Sequence, residues 1–303
     1  MSFFVILFPL FVSYLVVILS LLLLVAFLVL FERNILGLIQ IRKGPNTTGI
    51  YGVVQTVMDG VKLLMKEMVY TSNMRLLFFF LSPVVAFAMS LVNWLFIFFP
   101  SGLFLSKYGV LITLGVSSLM VYTILWAGWG SNAVFSLVGG VRAVAQMISY
   151  EVCFGLLLLG LVLVVGSYSW ESFFYYQVGG SFFWIFFSLL VLWGGSVLAE
   201  LNRTPFDLVE GESELVGGFN VEYAGYGFVL LFLSEYVNIW FMGMLTSLVF
   251  FFPSMMIFFV VLSLYCRGAL PRFKFTDLIM LTWKVYLPIV LGVFGFIVVF
   301  ICS

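Results

Sequence analysis

The chain has 303 residues, 64% of them hydrophobic and only 9% charged, and its 13 basic residues balance its 13 acidic ones. A soluble domain carries about 25% charged residues, so this composition excludes a soluble globular protein and predicts an integral membrane protein. The balanced charge leaves no basic excess for binding nucleic acid. The chain contains no histidine, which excludes Ser-His-Asp hydrolysis, His-ligated zinc and bis-histidine haem.

The three cysteines give no sign of a cofactor either. Cys153, Cys266 and Cys302 lie far apart and match no spacing typical of a metal site or a disulfide framework. We therefore expect no metal ion or redox centre to be bound in this chain.

Stretches without Asp, Glu, Lys or Arg predict the membrane-spanning helices. A span needs ~20 apolar residues, because the hydrocarbon layer is about 30 Å thick and each helical residue rises about 1.5 Å. Six such stretches hold one span each, and residues 223–266, interrupted only by Glu235, are long enough for two spans with a turn near Gly243 to Phe252. The predicted spans, in chain order, are 5–31, 76–99, 108–127, 148–168, 181–200, 224–244, 247–266 and 285–302.

The basic residues favour eight spans over seven. With eight spans, all of them except Lys107 fall on one face of the membrane, as the positive-inside rule expects of the cytoplasmic or matrix face. Both termini then lie on the opposite face. Because backbone polar groups in lipid must be satisfied within each segment, we predict an all-α integral membrane protein. It would form a single membrane domain over residues 1–303, with eight transmembrane helices and with polar loops on the matrix or cytoplasmic side.

Residues 52–68 predict a further, amphipathic helix in the first of these loops. Apolar residues such as Val57, Val61 and Leu64 recur at helical spacing, and polar residues such as Asp59 occupy the other sides. Such a helix lies in the membrane interface. Two interpretations stay open, a plain membrane anchor and a roof over an opening through which a lipid-like ligand enters.

The loop after the fifth span, residues 200–223, is strongly acidic. It holds six of the 13 acidic residues against a single basic one, Arg203. It is either a solvated loop that docks a basic partner or, because apolar residues such as Phe206 and Phe219 lie between the acids, a partly buried segment. Buried carboxylates at close spacing have raised pKa values and can hold and pass protons. The six acids are Glu200, Asp207, Glu210, Glu212, Glu214 and Glu222.

Three more acids lie inside spans or at their ends, namely Glu32, Glu151 and Glu235. An ionised carboxylate at mid-bilayer costs about 2.5–3.5 kcal/mol on insertion scales, so such residues normally face the protein interior. Each is either a neutral acid that joins helices through a hydrogen bond or a member of a proton path. Glu171 differs, because it lies in a short loop on the opposite face, and we expect it to be merely solvated.

The last loop on the basic face contains Arg267 and Arg272 together with Lys274 and Lys284. Membrane topology alone explains such charges. Arginines beside a cavity can also pair with the acidic loop, or donate hydrogen bonds to a carbonyl group or an anionic ligand.

These polar segments resemble one known family, NADH–ubiquinone oxidoreductase chain 1. This is the membrane subunit of respiratory complex I that meets the peripheral redox arm. The resemblance extends from about residue 5 to about residue 300, follows the style of the mitochondrially encoded animal form, and is most specific in the acidic loop. It rests on the runs ERNILGLIQIRKGPNTTGIYG, RAVAQMISYEV, AELNRTPFDLVEGESELVGGFNVEY, LSEYVNI and RGALPRF.

The resemblance implies a core subunit of a proton-pumping NADH:ubiquinone oxidoreductase. Its location would be the mitochondrial inner membrane, with both termini in the intermembrane space; a bacterial plasma membrane is the alternative. Ubiquinone would be the substrate, and NADH, FMN and iron–sulfur clusters would be bound by partner subunits. The chain would form much of the ubiquinone-access tunnel and a carboxylate path that couples quinone reduction to proton translocation. Small and antiporter-like membrane subunits would be its neighbours.

The resemblance also implies roles for individual residues. Asp207 would belong both to the quinone cavity and to the proton-coupling path, and Glu32 would belong to the charged junction. The residues around the quinone cavity would be Arg33, Arg203, Asp207, Arg267 and Arg272. The residues of the carboxylate path would be Glu151, Glu200, Glu210, Glu212, Glu214, Glu222 and Glu235.

Other functions stay open from the residues alone. Energy-converting hydrogenases contain related membrane subunits. A proton-coupled secondary transporter would also contain intramembrane carboxylates, although such folds usually have internal repeats and this sequence shows none. A structural anchor that docks a soluble arm through the acidic loop is a third alternative.

Overall fold

The computed structural model describes residues 2–49, 52–69, 73–98, 106–178, 187–207 and 217–302. Within these ranges the chain is helical and contains no strand, which confirms the predicted all-α class. Helices are the expected solution for segments this apolar, because each helix satisfies its own backbone hydrogen bonds. The helices, in chain order, are α1 (Ser2–Ile39), α2 (Gln55–Met65), α3 (Leu76–Phe98), α4 (Gly109–Ser131), α5 (Val134–Val165), α6 (Trp170–Val178), α7 (Phe187–Glu200), α8 (Gly225–Phe250), α9 (Met256–Ala269), α10 (Phe275–Leu281) and α11 (Leu287–Cys302).

Among the described residues, six helical segments are long and apolar enough to cross a membrane. Two shorter apolar helices, Phe187–Glu200 and Pro253–Ala269, lie where the fifth and seventh spans are predicted. These helices make the chain a multi-pass membrane protein. The number and bounds of its spans stay a prediction, since helix length and composition do not determine where lipid begins. The six segments are Val12–Ile39, Leu76–Ile97, Gly109–Ser131, Val134–Val165, Gly225–Phe250 and Phe275–Ile301.

The start of α5 differs from the start of the predicted fourth span. The helix begins at Val134, well before residue 148, and so includes the polar residue Gln146. This side chain is fully buried, and its Nε2 atom donates hydrogen bonds to the backbone oxygens of Ala199 (3.1 Å) and Phe206 (2.8 Å). The helix therefore continues past polar positions because tertiary partners satisfy them.

Two other boundaries differ by less. α2 covers Gln55–Met65, within the predicted range 52–68. α8 continues to Phe250, so the predicted turn begins later, and a 3₁₀ turn at Pro253–Met255 leads directly into α9. Proline suits this position, because the first turn of a helix has no partner for its N–H group.

α8 is the central helix of the molecule. In the most apolar stretch of α8, 56% of the residues are buried. In the segment Phe275–Ile301, which includes α10 and most of α11, the corresponding share is 11%. α8 packs against α1, α3, α6 and α9, and large side chains such as Trp94, Trp193 and Phe241 fill the surrounding core. Because much of α8 is covered by protein, polar residues on it such as Ser234 and Tyr236 are buried against other helices.

Close contacts between these helices depend on glycine. At Gly139 of α5, a Cβ atom would lie 2.8 Å from the Cα atom of Gly218, in the segment that leads to α8. Gly128 and Gly140 let α4 and α5 approach each other in the same way. Small residues at helix crossings are typical of membrane proteins, whose helices associate through close packing rather than through the hydrophobic effect.

We expect Gly139→Ala to destabilise the fold. The added methyl group would force α5 away from Gly218, and overpacking of this kind costs about 1–3 kcal/mol. The measurement is the midpoint of thermal unfolding of the assembled, purified protein. Gly155→Ala on the same helix is the matched control, since a Cβ atom there meets nothing within 4 Å. Equal midpoints for the two variants would contradict the packing argument.

Candidate functional site

A buried group of charged and polar side chains lies where α1, α8, α9 and the turn after α7 meet. We call it the ionic cluster and define it as Glu32, Arg203, Arg267 and Tyr236. Glu32, near the end of α1, is only 4% exposed. It accepts a hydrogen bond from the Tyr236 hydroxyl (2.5 Å) and forms ion pairs with Arg267 and with Arg203, whose Nη1 atom lies 3.7 Å from Glu32 Oε1.

Arg203 joins this cluster to a second carboxylate. Its Nη2 atom lies 3.9 Å from Oε2 of Glu235, and its guanidinium carbon lies 4.8 Å from the centre of the Tyr236 ring. An arginine can serve two carboxylates and an aromatic face at once, because its guanidinium group is planar and always charged. Burying a single charge is costly unless it is paired and hydrogen-bonded, so Arg203 and the two glutamates hold one another in place.

The backbone of the turn after α7 fixes the position of Arg203. Asn202 adopts a left-handed conformation, with φ of 49°, and the backbone N–H of Phe206 donates to the oxygen of Arg203 (2.8 Å). The Thr204 hydroxyl donates to the backbone oxygen of Arg267 (2.9 Å). These bonds connect the turn directly to the end of α9, so the two arginines share one rigid frame.

A second ion pair lies beyond this turn. Asp207 is 3% exposed, and its Oδ2 atom lies 3.4 Å from Nη2 of Arg272. The backbone N–H of Phe273 donates to the oxygen of Pro205 (3.0 Å), and the rings of Phe206 and Phe273 stack with their centres 5.7 Å apart. The last basic loop therefore packs along the first residues of the acidic loop.

A small polar cavity of about 40 Å³ lies on the other side of Glu235, between α3, α4, α5, α7 and α8. Glu200 and Glu235 both line it, together with Asn202 and Asn238. Among the described residues, the buried oxygens Glu200 Oε2, Asn202 Oδ1 and Asn238 Oδ1 have no hydrogen-bond partner. A cavity of this size admits water, and buried polar atoms without protein partners are normally bonded to water. The polar cavity can therefore hold water between two carboxylates.

A larger apolar cavity of about 170 Å³ extends between α7, α8 and α9. One end of it lies beside Leu201, in the turn after α7, and beside Cys266, which directly precedes Arg267. From there the cavity extends along the helices to Gly194 and Thr246. Nearly all of its wall is hydrocarbon. Two members of the ionic cluster, Arg203 and Arg267, thus closely follow lining residues of this apolar space, an arrangement that fits a ligand with a polar head and an apolar tail.

Arg33 lies apart from the ionic cluster. Its side chain is 45% exposed and forms an ion pair with Asp59 of α2, with Nη1 2.7 Å from Oδ2. Gln55 Nε2 also donates to Asp59 (3.0 Å), and Thr48 donates to Gln55 (2.7 Å). Arg33 therefore connects α2 to the end of α1, while the preceding residue, Glu32, faces the interior.

The remaining carboxylates of the predicted path divide into three groups. Glu151, on α5, interacts electrostatically with Glu200 across the contact between α5 and α7. Glu222 is half-buried in the turn before α8, and no ion pair joins it to the ionic cluster within the described part of the chain. Glu210, Glu212 and Glu214 lie outside the described residues.

Tyr223 anchors the described end of the acidic loop, just ahead of the predicted sixth span. Burial raises the pKa of its hydroxyl and a hydrogen bond with Ser82 (2.9 Å) lowers it in part, which leaves the pKa at about 12. Its ring stacks on Phe79, with centres 4.3 Å apart. The phenol stays protonated at physiological pH, so its role is to hold the loop against α3.

Several residues of this site were absent from the sequence-based prediction. Tyr236 and Asn238 follow Glu235 within one helical turn, and Asn202 directly precedes Arg203. The prediction considered charged residues alone. Amides and hydroxyls close to an intramembrane carboxylate carry a similar signal, because they too are costly in lipid without a partner.

Comparison with known proteins yields a consistent set of relatives. A family model described as NADH dehydrogenase matches residues 12–298. NADH-ubiquinone oxidoreductase chain 1 of Aedes aegypti is 45% identical over 282 residues, which cover 90% of both chains. The protein of the same name from Lampetra fluviatilis is 44% identical over 297 residues, covering 93% of this chain and 92% of the relative. That from Patiria pectinifera is 43% identical over 311 aligned positions, covering 96% and 94%.

We expect Glu32→Gln to destabilise the protein far more than Asp59→Asn. Loss of the Glu32 charge leaves two arginines near one another without their shared partner, and breaking a buried pair costs about 3–5 kcal/mol. Asp59 pairs with Arg33 at the surface, where an ion pair contributes about 0–1 kcal/mol. Thermal unfolding midpoints of the two variants test this difference. If Glu32→Gln unfolded at the same temperature as Asp59→Asn, Glu32 would not organise the cluster.

Proposed function

This chain belongs to the family of NADH–ubiquinone oxidoreductase chain 1, and we propose that it forms much of the ubiquinone-access tunnel and part of the path that couples quinone reduction to proton translocation. As a member of that family it is a subunit of an oxidoreductase complex, respiratory complex I. Its partners are other subunits of the complex, and its location is the mitochondrial inner membrane. In this proposal ubiquinone is the substrate, and NADH, FMN and the iron–sulfur clusters belong to the partner subunits.

The observation that carries this proposal is that the ionic cluster and the apolar cavity share the turn after α7 and the end of α9. Ubiquinone has a polar head with two carbonyl groups and a long apolar tail. The cavity between α7, α8 and α9 offers hydrocarbon walls to the tail. Arg203 and Arg267 closely follow the lining residues Leu201 and Cys266 in sequence, and the N–H donors of such arginines stabilise negative charge that develops on a carbonyl oxygen during reduction.

The proton-coupling part of the proposal rests on the double role of Arg203. The guanidinium group lies between Glu32 and Glu235, at 3.7 and 3.9 Å. Negative charge that forms on the quinone competes with Glu235 for this guanidinium group, so reduction changes which carboxylates hold a proton. Glu235 in turn shares the polar cavity with Glu200, through which water can pass the change onward.

The end of the path within this chain is Glu151, which interacts with Glu200 from the neighbouring helix. The order Glu32, Arg203, Glu235, Glu200, Glu151 thus runs from α1 through the centre of the molecule to α5. From there the proton or the electrostatic disturbance passes to a neighbouring membrane subunit. Each step joins groups that are in contact, that share a cavity or that interact electrostatically, and none requires a redox centre in this chain.

α2 is the proposed roof of the tunnel entrance. It packs against α1 and α8, and none of its residues is buried. Its apolar side chains, among them Val57, Met58 and Leu64, are exposed. The Arg33–Asp59 pair holds the helix at the end of α1, next to Glu32. A lipid-like substrate that leaves the bilayer at this level would meet an apolar surface first and the arginines afterwards.

The tunnel proposal predicts a tail-length effect for Gly194→Leu. A Cβ atom at Gly194 meets nothing within 4 Å, and the residue lines the apolar cavity. A leucine there would therefore fill space that the quinone tail occupies in this proposal. We expect KM for long-tailed ubiquinone to rise roughly tenfold, and KM for a short-tailed analogue to change little. Steady-state NADH oxidation with both quinones measures this.

Gly292→Leu is the matched control, since that glycine is also in open space and lines none of the cavities described here. If Gly194→Leu affected both quinones equally, or neither, the tail would not occupy this cavity. That result would contradict the tunnel proposal but not the proposed coupling path, which involves other residues.

The coupling proposal predicts that Glu200→Gln lowers quinone reduction and proton pumping together, each by roughly tenfold or more. The amide retains the shape of the carboxylate but cannot take up a proton. The measurement is NADH oxidation and the proton gradient in vesicles that contain the assembled complex. The control is Glu67→Gln, because Glu67 is an exposed acidic residue just after the end of α2. This variant should behave like the wild type. Normal pumping by Glu200→Gln would remove this residue from the path.

A further inference from the structure

A third cavity lies at the end of the molecule opposite the ionic cluster. It has a volume of about 280 Å³ and is bounded by α6, by the end of α3 and by the second half of α8, where Met244 and Leu248 line it. We call it the aromatic cavity because three aromatic side chains, Trp170, Phe174 and Tyr175, form much of its wall. None of the residues of the proposed quinone and proton path contributes to it.

The lining of this cavity combines aromatic rings with one negative charge. The rings of Phe174 and Tyr175 meet at 72° with their centres 6.0 Å apart, and the Trp170 side chain is 95% buried against the protein. Glu171 is the charged residue among the described lining residues. Aromatic faces attract cations, and several rings around one site are the usual way in which proteins recognise quaternary ammonium groups. A nearby carboxylate adds a direct ionic attraction.

The position of the cavity indicates that the source of such a cation is the lipid interface. Four residues separate the end of α5 at Val165 from the start of α6, and the first turn of α4 is tied to the same connection by a hydrogen bond from the Val110 N–H to the Tyr168 oxygen (3.0 Å). The cavity thus lies at the ends of membrane-crossing helices. Tyr175 is 72% exposed and Tyr176 51%, and exposed aromatic residues at this level are typical of the lipid interface.

We propose that the aromatic cavity binds the quaternary ammonium headgroup of a zwitterionic phospholipid, with the Glu171 carboxylate and the three aromatic rings as its contacts. The lipid tails would lie along the apolar surface of α8 and α3 next to Met244 and Ile97. With a volume of about 280 Å³, the cavity has room for a headgroup of a few atoms. Glu171 is then a binding residue rather than a merely solvated one.

The experiment uses the assembled complex in a bilayer and a phosphatidylcholine that carries a photoactivatable group near the top of one acyl chain. After irradiation, peptides of this chain are mapped for label. We expect label in the cavity-lining segment of the chain, which consists of α6 together with the residues around Ile97 on α3 and Met244 on α8. Probes with the same tails but with ethanolamine or glycerol headgroups should label this segment roughly threefold to tenfold less. Equal labelling by the three probes, or no labelling by any of them, would overturn the proposal.

Two variants test the residues themselves. Glu171→Gln removes the charge and Tyr175→Ala removes one ring, and each should lower labelling by phosphatidylcholine roughly threefold or more. Tyr176→Ala is the matched control, because this neighbouring tyrosine is also exposed but is not among the residues that line the cavity. NADH:ubiquinone reductase activity checks that each complex is assembled. Labelling that stayed unchanged in Glu171→Gln and Tyr175→Ala, or that fell equally in Tyr176→Ala, would contradict the assignment.

Discussion

The structure depends above all on how the Glu32 carboxylate is kept inside a protein that offers almost no water to it. An ionised carboxylate in a low-dielectric interior is tolerated only when opposite charge and hydrogen bonds surround it. Arg267, Arg203 and Tyr236 provide both. They come from three different elements, so one charge requirement brings together α1, α8, α9 and the turn after α7.

This requirement also explains why the functional elements lie where they do. Arg203 must face Glu32, and the turn that holds it is therefore packed against the end of α9 through Thr204. The same turn ends α7 at Glu200, which places that carboxylate on the far side of Arg203, at the polar cavity. A space for an apolar tail and a space for water consequently begin at the same turn. The proposed coupling of quinone reduction to proton transfer needs these two spaces to be adjacent.

The two ends of the molecule have different chemistry. The end with the ionic cluster contains paired charges, amides and the amphipathic helix α2, whereas the opposite end is almost free of charge and rich in aromatic side chains. α8 passes through both, with Glu235 and Tyr236 in its first half and Met244 and Leu248 in its second. The first end suits reactions of a substrate head and protons, and the second suits a stable position in the lipid interface.

The sequence by itself determined the class of the protein, the approximate position of its apolar helices and the location of its costly acids. Hydropathy and charge are local properties of the chain, and in a membrane they translate directly into helices and into residues that must find partners. Only the tertiary structure decided which residues those partners are. Tyr236 and Glu32 are 204 residues apart in sequence, Arg33 turns outward to α2 while its neighbour turns inward, and α5 extends through Gln146 because distant backbone oxygens accept its hydrogen bonds. Contacts of this kind arise from packing between helices, and no local pattern along the chain encodes them.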